Sequence, residues 1–143
     1  NNNIINNTAL ENLYGVCLAD DSTGSGDKIS PDGNNLTSNV VSNNSGMGII
    51  IDGSYGNLIY NNYFNNPVNV EDEDLNIWNS SETGNYWSDY EGEDANGDGI
   101  GDTPYVISPN TGSMDYLPII CLFNCSDLPE NKVSESFMNL LSE

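Results

Sequence analysis

Histidine and arginine are missing from this 143-residue chain, and Lys28 and Lys132 are its only basic side chains. Without an imidazole there is no Ser–His pair, no histidine base and no nitrogen ligand for a metal. Without arginine, a β-helix lyase working through an arginine base is excluded. Against the two lysines stand 22 acids, for a net charge of −20. Such a surface cannot neutralise phosphates, which excludes nucleic acid as a partner. It is equally unsuited to an anionic membrane surface, and no stretch is long and apolar enough to span a bilayer. Paired carboxylates could serve glycoside hydrolysis, but Asp20 and Asp52 are explained as turn formers, so the chain reads as a non-enzyme. Cysteine is scarce too. Cys121 and Cys125 lie four apart and can pair, which leaves Cys17 as an apolar filler inside the fold.

What the chain has in excess is asparagine, 25 residues, with 14 glycines. Both favour corners over helices. Asn35-Leu36-Thr37-Ser38-Asn39-Val40-Val41-Ser42-Asn43-Asn44 aligns with Asn57-Leu58-Ile59-Tyr60-Asn61-Asn62-Tyr63-Phe64-Asn65-Asn66 at a period of 22 residues. Short apolar runs between Asn and Gly corners at that period fit one coil of a parallel β-helix, each coil laying short strands on the next. The β-branched runs Val40-Val41 and Ile49-Ile50-Ile51 argue against a disordered asparagine-rich tract. Gly15 to Asp20 echoes Gly48 to Asp52, which predicts an earlier coil interrupted by a polar loop over 21–33. Coils therefore occupy 1–83, and the acidic corner Glu71 to Asp74 is expected to be a solvated face.

From Gly84 the repeat is lost. Residues 84–120 read as a closing module whose Tyr86, Trp87, Tyr90 and Tyr105 cover the last coil. In the tail, 121–143, Asp127, Pro129 and Glu130 make a helix start. Val133, Phe137, Leu140 and Leu141 then recur at helical spacing, predicting an amphipathic helix from about Leu128 to Leu141. Sequons stand at Asn6, Asn35, Asn43, Asn79 and Asn124, with Asn79 and Asn124 outside the repeat proper.

One segment has the spacing of a cation loop. Asp94, Asn96, Asp98 and Asp102 fall at loop positions 1, 3, 5 and 9. Gly99 is at 6, and the Ile100 carbonyl is at 7. Calcium is the expected ion, held by Asp94, Asn96, Asp98, Ile100 and Asp102 as a fixed structural site. Tyr105 replaces the usual acid at position 12, so Asp89, Glu91, Glu93 or Asp115 would complete the shell.

The repeats at Asn35 and Asn57, together with Gly84-Asn85-Tyr86-Trp87-Ser88-Asp89-Tyr90, DANGDGIGDTPYVI and Asp115-Tyr116-Leu117-Pro118-Ile119, resemble parallel β-helix surface proteins of methanogenic archaea. Those share the asparagine-rich repeat of periplasmic copper-site accessory proteins and of carbohydrate-binding or sugar-hydrolase domains. The resemblance covers Asn1 to about Ile120. It implies an all-β, right-handed parallel β-helix, export to the cell surface, and a calcium-loaded end module.

The expected function is structural. The chain opens at Asn1 in mid-pattern, so its first coil is expected to be an uncapped edge that templates addition of another chain. Copies would polymerise head-to-tail into a filament, sheath or surface layer, with calcium offsetting the acidity. The alternative is a carbohydrate-binding adhesion module that holds cell-surface glycans on Tyr60, Tyr63 and Trp78.

Overall fold

Residues 1–20 and 30–120 are described by a computed structural model of the chain. The tip of the inserted loop and the tail that carries the expected helix lie outside the described residues. The described chain winds in coils of three short strands, because its apolar runs are only two to three residues between corners. The first coil holds β1 (Asn3–Ile5), β2 (Thr8–Leu10) and β3 (Tyr14–Ala19). The second holds β4 (Asn35–Thr37), β5 (Val40–Ser42) and β6 (Met47–Asp52), and the third β7 (Leu58–Tyr60), β8 (Tyr63–Asn65) and β9 (Val70–Asp72). A partial fourth coil adds Ile77, which bridges Leu58, and β10 (Tyr86–Trp87). An antiparallel hairpin of β11 (Tyr105–Ser108) and β12 (Ser113–Asp115) follows.

Stacking the coils makes three parallel sheets, ordered β1-β4-β7, β2-β5-β8-β10 and β3-β6-β9. This is a parallel β-helix. The register differs by one residue from the 22-residue alignment, because Asn35 lies opposite Leu58. Alternate side chains then point inward in files: Leu36 over Ile59, Val41 over Phe64 and Trp87, Ile49 over Val70. Leu36, Ile49, Ile59, Phe64, Trp78 and Trp87 are almost fully buried and belong to one core. Trp87 stacks on Phe64 at 4.7 Å and on Tyr105 at 4.4 Å. This aromatic column replaces aliphatic filling where the stack ends, each pair contributing about 0.5–1.5 kcal/mol beyond its burial. Cys17 faces out rather than in, because it pairs in register with Ile50, one residue away from the inward Ile49 and Ile51.

The corners follow a two-residue rule. Asn6, Glu11, Ser38, Asn43 and Asn61 take positive φ between 55° and 58°, and Gly33 and Gly56 do the same at 66° and 64°. Each stands immediately before an asparagine whose side chain turns into the stack. Asparagine and glycine tolerate this left-handed turn best, and it sends the next side chain inward.

The inward asparagines form three files, one per corner. They run Asn2–Asn34–Asn57–Asn76, Asn7–Asn39–Asn62–Asn85 and Asn12–Asn44–Asn66–Asn69. At nearly every step the backbone N–H and the side-chain Nδ2 of one asparagine both donate to Oδ1 of the next, at 2.8–3.3 Å. The spare Nδ2 hydrogens of Asn39, Asn44, Asn62, Asn66 and Asn85 reach the backbone carbonyls of Ile4, Ala9, Leu36, Val41 and Ile59. Amides buried without such partners would each cost about 1–3 kcal/mol. Asn62→Ala is therefore expected to lower stability by about 3 kcal/mol or more, since it removes the acceptor of both Asn39 donors and the donor to two carbonyls, and leaves Asn85 Oδ1 only the backbone N–H of residue 62. Asn61→Gly, at the left-handed position beside it, should change little. Urea denaturation of the two variants checks the contrast.

Candidate functional site

Each asparagine file ends on a carboxylate, and these ends are the most highly organised polar sites among the described residues. Only an acceptor can finish a file of donors. Asp72 Oδ1 accepts Asn76 Nδ2 and the Asp74 N–H, both at 3.0 Å, while Oδ2 accepts Trp78 Nε1 at 3.0 Å. Asp115 Oδ2 accepts the Asn85 N–H at 2.7 Å, its Nδ2 at 3.2 Å and Trp87 Nε1 at 2.9 Å, and Oδ1 accepts the Leu117 N–H at 3.0 Å. Asp89 Oδ1 accepts Asn69 Nδ2 at 2.7 Å, and the Tyr105 hydroxyl donates to Asp89 at 3.1 Å. Every end therefore joins an acid to the polar tip of an aromatic.

Asp72 and Asp115 are buried and Asp89 is exposed. Gly84 is what lets Asp115 approach, for a Cβ there would lie 1.9 Å from its Oδ1. Burial pushes the carboxyls of Asp72 and Asp115 above the usual range, and the surrounding N–H donors oppose that shift. Burial and the neighbouring Asp89 likewise push the Tyr105 hydroxyl up.

The folded state thus holds the protons of Asp72 and Asp115 more tightly than the unfolded chain does. Stability falls as pH rises from the ordinary carboxylate range through the raised values, and it is regained on acidification over the same window. Scattered surface acids give a slope of the same sign, so the test is a difference. In denaturation series from about pH 4 to pH 8, Asp115→Asn should be less stable throughout and show a shallower loss with rising pH than the parent.

The five residues expected to hold calcium are close together, and most of their side-chain oxygens accept N–H groups of the loop itself. Asp94 Oδ1 accepts the N–H groups of Gly97 and Asp98, and Oδ2 that of Gly99, at 2.7–3.1 Å. Asn96 Oδ1 accepts the Asp98 N–H, Asp98 Oδ1 that of Ile100, and Asp102 Oδ2 that of Ala95, each at 2.9 Å. Asn96 Nδ2 also donates to Asp98 Oδ2 at 3.0 Å. Ile100 forms an antiparallel bridge with Ile119. Of the acids expected to complete the shell, Asp89 and Asp115 are file ends instead. Among the described residues no three Cys, Asp or Glu side chains converge as a metal group.

Other expected residues sit elsewhere. Trp78 and Tyr63 are buried and give no flat glycan-stacking surface, while Tyr60 is half-buried. Asp72, in the corner expected to be solvated, is fully buried, because it occupies the inward position continuing the Leu18–Ile51 file. The Asn79 amide is engaged, accepting the Tyr116 N–H at 3.1 Å and donating to the Ser80 carbonyl at 2.8 Å. The asparagine spacing does not point to the file ends: Asp89 stands 20 residues after Asn69, but Asp72 precedes Asn76 and Asp115 lies 30 residues after Asn85.

A family model described as periplasmic copper-binding protein, NosD, matches residues 1–92. The chain belongs to the NosD family. No curated protein and no solved structure matches significantly. The match agrees with the copper-accessory side of the resemblance and carries no indication of methanogenic archaea.

The NosD match also overturns the expected cofactor. The metal named for the family is copper, and no group of three acid or thiol ligands converges for calcium among the described residues. Copper itself finds no fitting donor set among the described residues. Thiolate, thioether and imidazole ligands suit it, yet the chain has no histidine. Cys17 stands alone and exposed on β3, and Met47 and Met114 lie on β6 and β12 in separate sheets.

Proposed function

We propose that this NosD-family chain is an exported structural module, a stiff coil stack sealed at one end and extended by coil addition at the other. It would serve as the end unit of a longer coil stack in a surface assembly. The observation that carries this reading is the polarity of the three asparagine files. Donors point toward the fourth coil and stop on Asp72, Asp89 and Asp115, while among the described residues no donor reaches Oδ1 of Asn2, Asn7 or Asn12. Toward whatever coil lies before it, in the same chain or another, the first coil presents these three acceptors in register with the edges of β1, β2 and β3, which suits another asparagine-cornered coil. The polarity favours such a coil over the acid-ended face of a second copy, which would set acceptor against acceptor. The periplasmic description of the family supports export.

A synthetic peptide of residues 34–56, one full coil, tests this. It should bind the protein in calorimetry and raise its melting temperature, whereas the peptide with Asn34, Asn39 and Asn44 changed to Asp should not. Equal binding of both peptides, or of neither, would refute coil addition.

A second reading, glycan adhesion, draws support from one groove of about 360 Å³ lined by Leu75, Ile77, Asn79, Thr111, Met114 and Tyr116. Tyr116 is exposed there with polar side chains beside it, an arrangement that suits stacking against a sugar ring. On this reading Tyr116→Ala abolishes retention on immobilised cell-surface polysaccharide while leaving the melting temperature unchanged. Retention unaffected by that change would count against it.

A further inference from the structure

Two corners of the stack carry a second message in the same three residues. Asn6-Asn7-Thr8 and Asn43-Asn44-Ser45 each place a left-handed asparagine first, an inward asparagine second and a hydroxyl third. Each triplet is therefore both a corner and an N-glycosylation sequon. Asn7 and Asn44 are committed to the files, bonded to Asn39 and Asn66. Asn6 and Asn43, at φ 57° and 55°, are exposed, and no other described residue engages their side-chain amides. The hydroxyls stand where a neighbouring coil carries an apolar residue. Thr8 lies in register with Val40, and Ser45 follows Asn44 as Leu13 follows Asn12. Packing gives neither hydroxyl a strong role: both residues are exposed, and Ser45 Oγ reaches the Asn12 carbonyl only at 3.4 Å.

The other described sequons are built differently. Asn35 opens the middle strand β4, flanked in register by Asn3 and Leu58, and its Oδ1 is enclosed without a partner among the described residues. Asn79 is held at both ends of its amide, by the Tyr116 N–H and the Ser80 carbonyl, and it lines the groove beside Ile77. A sugar on either would have to displace packed neighbours. We infer that Asn6 and Asn43 are N-glycosylated in the exported protein, and that Asn35 and Asn79 are bare. The inference rests on the export proposed above. A phosphate-activated oligosaccharide and a transferase of the export compartment supply the sugar. Nδ2 forms the bond to the anomeric carbon, the carbon–oxygen bond to the donor phosphate breaks with its electron pair leaving on the phosphate, and one Nδ2 proton is released. Asn6 precedes β2 and Asn43 follows β5, adjacent strands of the four-stranded sheet. The two sugars thus flank that sheet on the side of the stack, which is compatible with coil addition at its end.

The test is peptide mapping of the full chain purified from its native cells, with cleavage at acidic residues and fragmentation that keeps sugars on their side chains. Sugar mass should sit on Asn6 and Asn43, with Asn35 and Asn79 at their unmodified masses. Asn6→Gly with Asn43→Gly should abolish the added mass and leave the fold intact, since glycine keeps the left-handed turn. Thr8→Ala with Ser45→Ala, which retains both asparagines, should abolish it equally. An unmodified Asn6 or Asn43 in protein recovered outside the cytoplasm overturns the inference and leaves export standing. Sugar on Asn35 or Asn79, or sugar that survives the loss of both hydroxyls, overturns it as well. Protein found only in the cytoplasm and bare at every sequon would overturn both the sites and export.

Discussion

The structure depends on a chain of side-chain amides that can be satisfied only by other copies of themselves. A coil of three short strands cannot bury enough apolar surface to close its own corners. The corners are filled instead with asparagine, a group that is both donor and acceptor and so can repeat without limit in one direction. Each buried amide costs free energy unless the coil above and the coil below supply its partners. Cooperativity therefore lies between coils rather than within them. The left-handed residue ahead of each inward asparagine is the backbone half of the same device, and it explains why Asn-Asn, Ser-Asn, Glu-Asn and Gly-Asn recur wherever the chain turns.

A repeating donor file needs a last acceptor, and the upper end of the stack is built around that requirement. Asp72, Asp89 and Asp115 come from three different segments, yet each receives an asparagine amide and one aromatic N–H or O–H. Trp78, Trp87 and Tyr105 thus fill the core with their rings and close the polar files with their tips. Gly84 is fixed by the same end, since any side chain there would collide with Asp115. The abundance of acid in this chain is consequently of two kinds. A few carboxylates are buried structural stops, and the remainder, the turn of Asp94 to Asp102 included, shape loops or stay in water.

Much of the coil architecture was legible in the amino-acid order, because period, corner residues and β-branched runs all pointed to stacked strands. The match of Gly15–Asp20 with Gly48–Asp52 holds, Val16 lying against Ile49. The detail that failed was register. Aligning Asn35 with Asn57 pairs the first residue of a strand with an inward corner asparagine, and in a strand a shift of one residue exchanges the two faces. Asn34 is the true partner of Asn57. The expectation that Cys17 fills the core came instead from pairing the other two cysteines, and Cys17 lies opposite Ile50 on the outward side. The expected calcium is overturned by the family match rather than by the loop, since alternate acids with glycine at the Asp94–Asp102 spacing serve a turn closed by its own N–H groups as well as an ion.

The asparagine files have one consequence at a distance. Their amides are all oriented the same way, with the hydrogen-bearing ends toward the fourth coil, so their dipoles add as those of a helix do. The positive ends of three such columns converge on three carboxylates. At Asp115 that local alignment opposes burial: the last amides of the file favour the ionised carboxylate that its enclosure disfavours.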